Sequence, residues 1–218
     1  TSATLAVGDN FDHLADVVGV EPTKTAVLPP AFDYSKQGFL YVPKDIPFRN
    51  RSAPDYIENT RMRIDRCVQL VTWSNGGAFV LTTANDDLDE FAEVLKRKFP
   101  GRVFAQGHSR NAWDGDPPSI LERFKQAPNN ILVGSKSFWE GVDVVGEHLR
   151  LVVITKLPFP NFKDPIVKAR ERLAGESAFK RVQMVDMLTD LRQGAGRLIR
   201  SKSDRGVVAI LDSRVWDK

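Results

Sequence analysis

Apolar positions along the chain follow two rhythms. Short, almost unbroken apolar runs occur at residues 77–83, 102–106, 130–134, 149–154 and 206–212, centred on Phe79-Val80-Leu81, Val103-Phe104-Ala105, Ile131-Leu132-Val133, Val152-Val153-Ile154 and Val208-Ala209-Ile210. Runs of this length bounded by Gly, Asn and Asp predict strands buried on both faces. Between them apolar residues recur at helical spacing. After Pro54, suited to a first helical turn, Ile57, Ile64, Val68 and Val71 predict a helix reaching about Ser74. Further helices are expected from Asn85 to Phe99, over 119–127, over about 164–174 and over 178–199. Near the start, Phe11, Leu14, Val17 and Val18 follow Gly8-Asp9-Asn10, a helical spacing behind a capping Asp or Asn. Residues 21–53 are rich in Pro and read as an extended connector holding one strand, Gly38-Phe39-Leu40-Tyr41-Val42.

Apolar strands alternating with helices define the fold class as α/β, a parallel sheet with helices on both faces. The expected organisation is a connector over 1–53 and a sheet domain over 54–218. Ligands of such sheets gather just beyond the C-terminal ends of the strands. That rule selects Thr83-Ala84-Asn85, Gly134-Ser135-Lys136-Ser137, Lys156-Leu157-Pro158 and Asp212-Ser213-Arg214.

Composition narrows the function classes. The 218 residues are 42% hydrophobic, enough to bury a core without staples. A formal charge of +3 permits a nucleic-acid partner without demanding one. No apolar run approaches the roughly 20 residues that span a bilayer, and Thr1-Ser2-Ala3-Thr4-Leu5 has no signal-peptide pattern, so a cytoplasmic location and no membrane partner are expected. The missing initiator Met suggests a piece of a longer protein. The single cysteine, Cys67, excludes an internal disulfide and any multi-cysteine metal site, and reads as a small buried hydrophobe beside Ile64 and Val68. His13, His108 and His148 lack metal-ligand spacing, so no metal site is expected. The chain contains no G-x-x-x-x-G-K-[ST] phosphate loop, no G-x-G-x-x-G and no G-x-S-x-G.

One segment stands out chemically. On a continuous helix Gln193, Arg197 and Arg200 would lie at i, i+4 and i+7, placing an amide and two guanidiniums on one face. Two permanently charged planar forks suit a polyphosphate; a solvated basic face paired with carboxylates is the plain alternative. Gly194 and Gly196 would each cost the helix roughly 1 kcal/mol against Ala, which suggests close approach of a backbone or ligand.

Gln193-Gly194-Ala195-Gly196-Arg197-Leu198-Ile199-Arg200 resembles motif VI, Q-x-x-G-R-x-I-R, of superfamily 2 helicases of the DinG and XPD type. Ser135-Lys136-Ser137-Phe138-Trp139-Glu140-Gly141-Val142-Asp143 resembles motif V of the same family, and Thr1-Ser2-Ala3-Thr4-Leu5 its motif III. Phe79-Val80-Leu81-Thr82-Thr83 takes the place of motif IV, although Thr83-Ala84-Asn85 departs from the usual F-T-S. The resemblance implies the second RecA-like half of an ATP-dependent DNA helicase, moving 5′ to 3′ and serving DNA repair. Arg197 and Arg200 would be fingers on the γ-phosphate, Gln193 a polar residue lining the cleft, and Glu140, Gly141 and Asp143 would face the nucleotide. Thr83, Lys136, Ser137 and Phe138 would contact single-stranded DNA. ATP and Mg²⁺ would be held mainly by an N-terminal motor domain of the same parent chain. The family's iron–sulfur subtype carries four cysteines upstream of motif III, so a 4Fe-4S cluster could belong only to that parent. The alternative is a single-strand-binding module that does not unwind, from a DinG-related nuclease-type protein.

Overall fold

The six apolar runs become six strands: β1 (Gly38–Tyr41), β2 (Ala78–Leu81), β3 (Val103–Ala105), β4 (Ile131–Gly134), β5 (Leu151–Ile154) and β6 (Gly206–Ile210). They are seen in a computed structural model that describes residues 6, 11–19, 24–48, 50–107, 113–135, 138, 144 and 146–217. The strands form one sheet in the order β1-β6-β5-β2-β4-β3, and every pairing is parallel. The helices are α1 (Asp12–Val18), α2 (Tyr34–Gln37), α3 (Tyr56–Trp73), α4 (Asn85–Lys98), α5 (Pro117–Phe124), α6 (Pro165–Ala174) and α7 (Met184–Ala195). The α/β parallel-sheet architecture expected from the apolar rhythm is the one observed.

Side chains alternate across a strand, so each central strand buries two sets. Ala78 and Val80, Ile131 and Val133, Leu151 and Val153, with Ala209 and Leu211, share one core with Ile64, Cys67 and Val71 of α3 and Leu88, Phe91 and Leu95 of α4. The alternate positions Phe79, Leu81, Leu132, Val152 and Ile154 are equally buried. Among them Phe79 meets Phe124 of α5 with ring centroids 4.9 Å apart. Cys67 is fully buried and its thiol pKa is pushed far up by desolvation, so it packs as a hydrophobe. Ile57 is exposed and plays no part in the α3 core stripe.

The chain divides into two compact units, one of Thr1–Ala31 with Pro158–Gln193 and one of Phe32–Leu157 with Gly194–Lys218. This differs from the boundary expected at residue 53, because β1 pairs with β6 and makes the connector strand an edge of the sheet. The first unit is helical. Asp164 caps α6 by accepting from the amides of Ile166 (2.7 Å) and Val167 (3.3 Å), with Pro165 at the first helical position. Within this unit α6 and α7 are joined by a two-pronged ion pair from Arg170 to Asp186. A π-helical stretch, Phe179–Gln183, precedes α7.

Candidate functional site

Strand connections set the geometry of the sheet's two edges. From β2 the chain crosses through α4 toward β3, whereas from β5 it leads to β6 on the other side. The adjacent ends of β2 and β5 are therefore the topological switch point, where open sheets leave a crevice. Here charged side chains occupy it. Asp87, in the first turn of α4, is 2% exposed and takes an ion pair from Lys156 Nζ at 2.7 Å and from Arg63 of α3 at 3.5 Å. Tyr56 Oη donates to its other oxygen at 3.2 Å and accepts from Lys156 Nζ at 3.3 Å. A carboxylate suits the positive end of a helix. Sequence reading selected Lys156 by position but missed Asp87, Arg63 and Tyr56. Arg63 lay one residue before an apolar helix position, Ile64, and nothing in its spacing marked it as buried.

The neighbouring strand ends are also tied down. Thr82 Oγ1 donates to the Gly134 carbonyl and Thr155 Oγ1 to the Leu81 carbonyl. Asp212, after β6, accepts from the Leu157 amide at 2.9 Å and from Arg214 Nη2 at 2.6 Å, while the Arg214 guanidinium lies 3.6 Å from the Phe48 ring centroid. Of the expected strand-contact residues, Thr83 is exposed at the end of β2. Phe138 is fully buried, and its ring lies over Gly134 so closely that a Cβ there would stand 2.2 Å from it. One aromatic face is taken up by the backbone of Gly134 in β4. Lys136, Ser137, Glu140, Gly141 and Asp143 lie outside the described residues, as do Thr1–Leu5 and the expected cap residues Asp9 and Asn10.

The helix expected over 178–199 ends at Ala195. Arg197 N and Leu198 N turn back to the carbonyls of Gly194 (3.3 Å) and Ala195 (3.2 Å), and Arg200 lies beyond the helix outside any helix or strand. Gln193, Arg197 and Arg200 therefore do not share a helical face. Two glycines weaken the last turn, and the buried Leu198 must reach Gly206, where a Cβ would come 2.6 Å from the leucine methyl. Beyond the helix, Asp204 takes over the backbone donors. Its Oδ2 accepts from the amides of Arg200 and Ser201, both at 2.8 Å; its Oδ1 accepts from Ser201 Oγ at 2.7 Å and the Gly146 amide at 3.2 Å. Gln37 Nε2 donates to the carbonyls of Ser201 and Asp204. Arg200 itself is exposed, Arg197 half-buried. Gln193 lies in the last turn of α7, and its side-chain oxygen is enclosed with no hydrogen-bond partner among the described residues.

Gln37, Gly146 and Asp204 precede β1, β5 and β6, so this clamp sits at the N-terminal edge of the sheet. Thr83 and Lys156 sit at the C-terminal edge. Strands of four to five residues separate the two edges by about 15 Å. The structure thus does not bring Arg200 and Thr83 together.

Burial alone would raise the Asp204 and Asp212 pKa values, but their hydrogen bonds hold both below the ordinary carboxylate value. Carboxylates depressed in the folded state stabilise it above the unfolded pKa of about 4, and that contribution is lost as pH falls through the folded values. Denaturant midpoints measured from pH 7 downward should fall below about pH 4. Asp212→Asn should lower the midpoint at pH 7 and flatten this acid limb; an acid limb as steep as the parent's would refute the assignment.

The helicase C-terminal domain family matches residues 67–218. ATP-dependent DNA helicase YoaA of Escherichia coli is 38% identical over 218 residues, 99% of this chain and 32% of that protein. ATP-dependent helicase DinG of Mycobacterium tuberculosis is 33% identical, again over 99% of this chain and 32% of the relative. The 3′-5′ exonuclease DinG of Bacillus subtilis is 30% identical over 99% of this chain and 23% of its own length. This chain therefore spans about a third or less of the relatives it matches. A solved XPD helicase superposes with a TM-score of 0.73 at 17% identity, covering 99% of this chain and 39% of that one, which shows a shared fold. With a RecA-like parallel sheet and the family match extending from α3 past β6, the chain belongs to the helicase C-terminal domain family, of the DinG and XPD type.

Proposed function

We propose that this chain is the second motor half of an ATP-dependent DNA helicase, supplying arginine fingers to a nucleotide held chiefly by an N-terminal motor half of the same protein. The observation that carries this reading is the Arg200 turn: its backbone is clamped by Asp204 while its side chain is exposed at the N-terminal edge of the sheet. A permanently charged fork held on a fixed backbone is suited to stabilising the charge that spreads over a transferring phosphoryl group. Arg197, three residues earlier, would be the second finger and Gln193 the polar lining, with Glu140, Gly141 and Asp143 facing the nucleotide. Mg²⁺ would arrive with ATP, and any 4Fe-4S cluster would belong to the other half.

At the opposite edge Thr83, with Lys136 and Ser137, would grip the phosphates of single-stranded DNA. Phe138 would shape that loop from beneath. Cleft closure around ATP would then move the strand, 5′ to 3′, in a cytoplasmic DNA-repair role. The purified 218-residue chain should hydrolyse ATP no faster than buffer, with or without single-stranded DNA, because it has no phosphate loop to position the nucleotide. Turnover by the isolated chain contradicts the proposal.

The exonuclease name of the Bacillus subtilis relative favours a second reading, a single-strand-binding module without unwinding. Strand displacement by the full-length protein separates the two: ATP-dependent displacement supports the motor, and binding without displacement supports the module.

A further inference from the structure

We infer that Asp204 is a positioning residue that fixes Arg200 for phosphoryl transfer, and that it does so by binding the backbone rather than the guanidinium. The inference rests on the reading of Arg200 as a finger.

Four donors converge on this one carboxylate, three from the Arg200–Ser201 turn and one from the chain entering β5. Two are successive amides, Arg200 and Ser201, on Oδ2 at 2.8 Å. One is the Ser201 hydroxyl on Oδ1 at 2.7 Å. The fourth is the Gly146 amide at 3.2 Å, which belongs to the chain leaving the 134–145 block on its way to β5. Behind the carboxylate, Gln37 Nε2 donates to the Ser201 carbonyl at 2.8 Å and to the Asp204 carbonyl at 3.0 Å, so the whole turn is bound to the chain entering β1. Asp204 is 5% exposed and Gln37 6%, which shields these bonds from water.

The geometry has a chemical reason. α7 stops at Ala195, so Arg200 lies beyond the helix, and its amide goes to Asp204. A residue outside a helix or strand takes no rigidity from a regular hydrogen-bond ladder. A finger must nonetheless meet the phosphoryl oxygens within a fraction of an ångström, since a misplacement of about 1 Å can cost about 10²-fold. An ionised carboxylate accepting two adjacent amides defines the position and direction of the Arg200 Cα. It does so without touching the guanidinium and so without lowering its positive charge. The Gly146 bond adds that the chain entering β5 and the Arg200 turn are registered to the same group.

The test is a double-mutant cycle in the full-length protein, reading kcat and KM for ATP in the presence of single-stranded DNA. Asp204→Asn keeps the volume but replaces one acceptor oxygen by a donor, so it cannot accept all four bonds. It is expected to lower kcat about tenfold with KM for ATP within about twofold, the pattern of a lost transition-state interaction. In the Arg200→Ala background the same change should lower kcat by less than about twofold, because residues acting as a unit are not additive. Ser201→Ala removes one donor and leaves the carboxylate in place. It serves as the milder second variant, with an expected two- to threefold loss that also vanishes in the Arg200→Ala background. A kcat loss of equal size in both backgrounds overturns the inference and leaves the finger reading standing, because it reports only general destabilisation. Unchanged kcat in Asp204→Asn also overturns it. If Arg200→Ala alone costs less than tenfold, the finger reading fails and this inference falls with it.

Discussion

Arg200→Ala in the full-length protein lowers ATP turnover by about 10³-fold or more, a finger-sized effect. The domain's thermal midpoint stays within about 2 °C of the parent, as expected for truncation of an exposed side chain. The two halves of this expectation come from different parts of one residue. The Arg200 side chain is exposed, whereas its amide is the part that Asp204 anchors. Truncation to Ala keeps the amide, the turn and the burial of Leu198 and Ile199 just before it. What disappears is a planar cation that, on the proposed role, would form two parallel hydrogen bonds to phosphoryl oxygens. Lys restores the charge but not the fork, so Arg200→Lys should recover only part of the loss. A drop of less than tenfold in Arg200→Ala would remove the residue from the chemistry, whatever its place in the motif.

Asp87→Ala destabilises the folded chain by about 3–5 kcal/mol, the range for removing one partner of a buried ion pair. Asp87 and Arg63 are each 2% exposed, and Lys156 is largely covered. Without the carboxylate, two cations stay buried at the switch point with only Tyr56 Oη and the Thr60 hydroxyl as neutral partners. Lys156→Met is the informative contrast. It leaves Arg63 paired with Asp87 and fills the space with a chain of similar length, so it should cost much less. Urea unfolding of the chain measures both, with stability taken from the midpoint and slope. An Asp87→Ala loss below about 1 kcal/mol would mean that water reaches the cluster and the ions are solvated.

Much of this architecture was legible in the residues because buried parallel strands are continuous apolar runs. Each of the runs around Phe79, Phe104, Leu132, Val152 and Val208 became a strand, and even Gly38-Phe39-Leu40-Tyr41 in the Pro-rich connector did so. Helix ends were less legible. Periodicity cannot see that Leu198 must fold back onto Gly206, nor that Asp204 will offer the amides of Arg200 and Ser201 a partner outside the helix. The expected common face of Gln193, Arg197 and Arg200 failed for that reason. Phe138 shows the same limit for a side chain, since its motif position gave no sign that the absence of a Cβ on Gly134 provides it with a buried seat. The Asp87 cluster was hidden because its bonded pairs join α3, α4 and the end of β5 across 24 to 100 residues of sequence, and tertiary packing alone assembles them.

β5 carries a mechanical consequence. Just ahead of it stands Gly146, bound to Asp204 at the edge where Arg200 lies; just after it stands Lys156, bound to Asp87 at the edge where Thr83 lies. The four residues of β5 are buried and hydrogen-bonded to β2 on one side and β6 on the other. Such a strut in a close-packed core has almost no compliance along its length. A push on the edge that holds Arg200 therefore reaches the far edge as translation or tilt of the whole sheet. It is not absorbed as bending between them. A displacement imposed at one end would be delivered undiminished at the other.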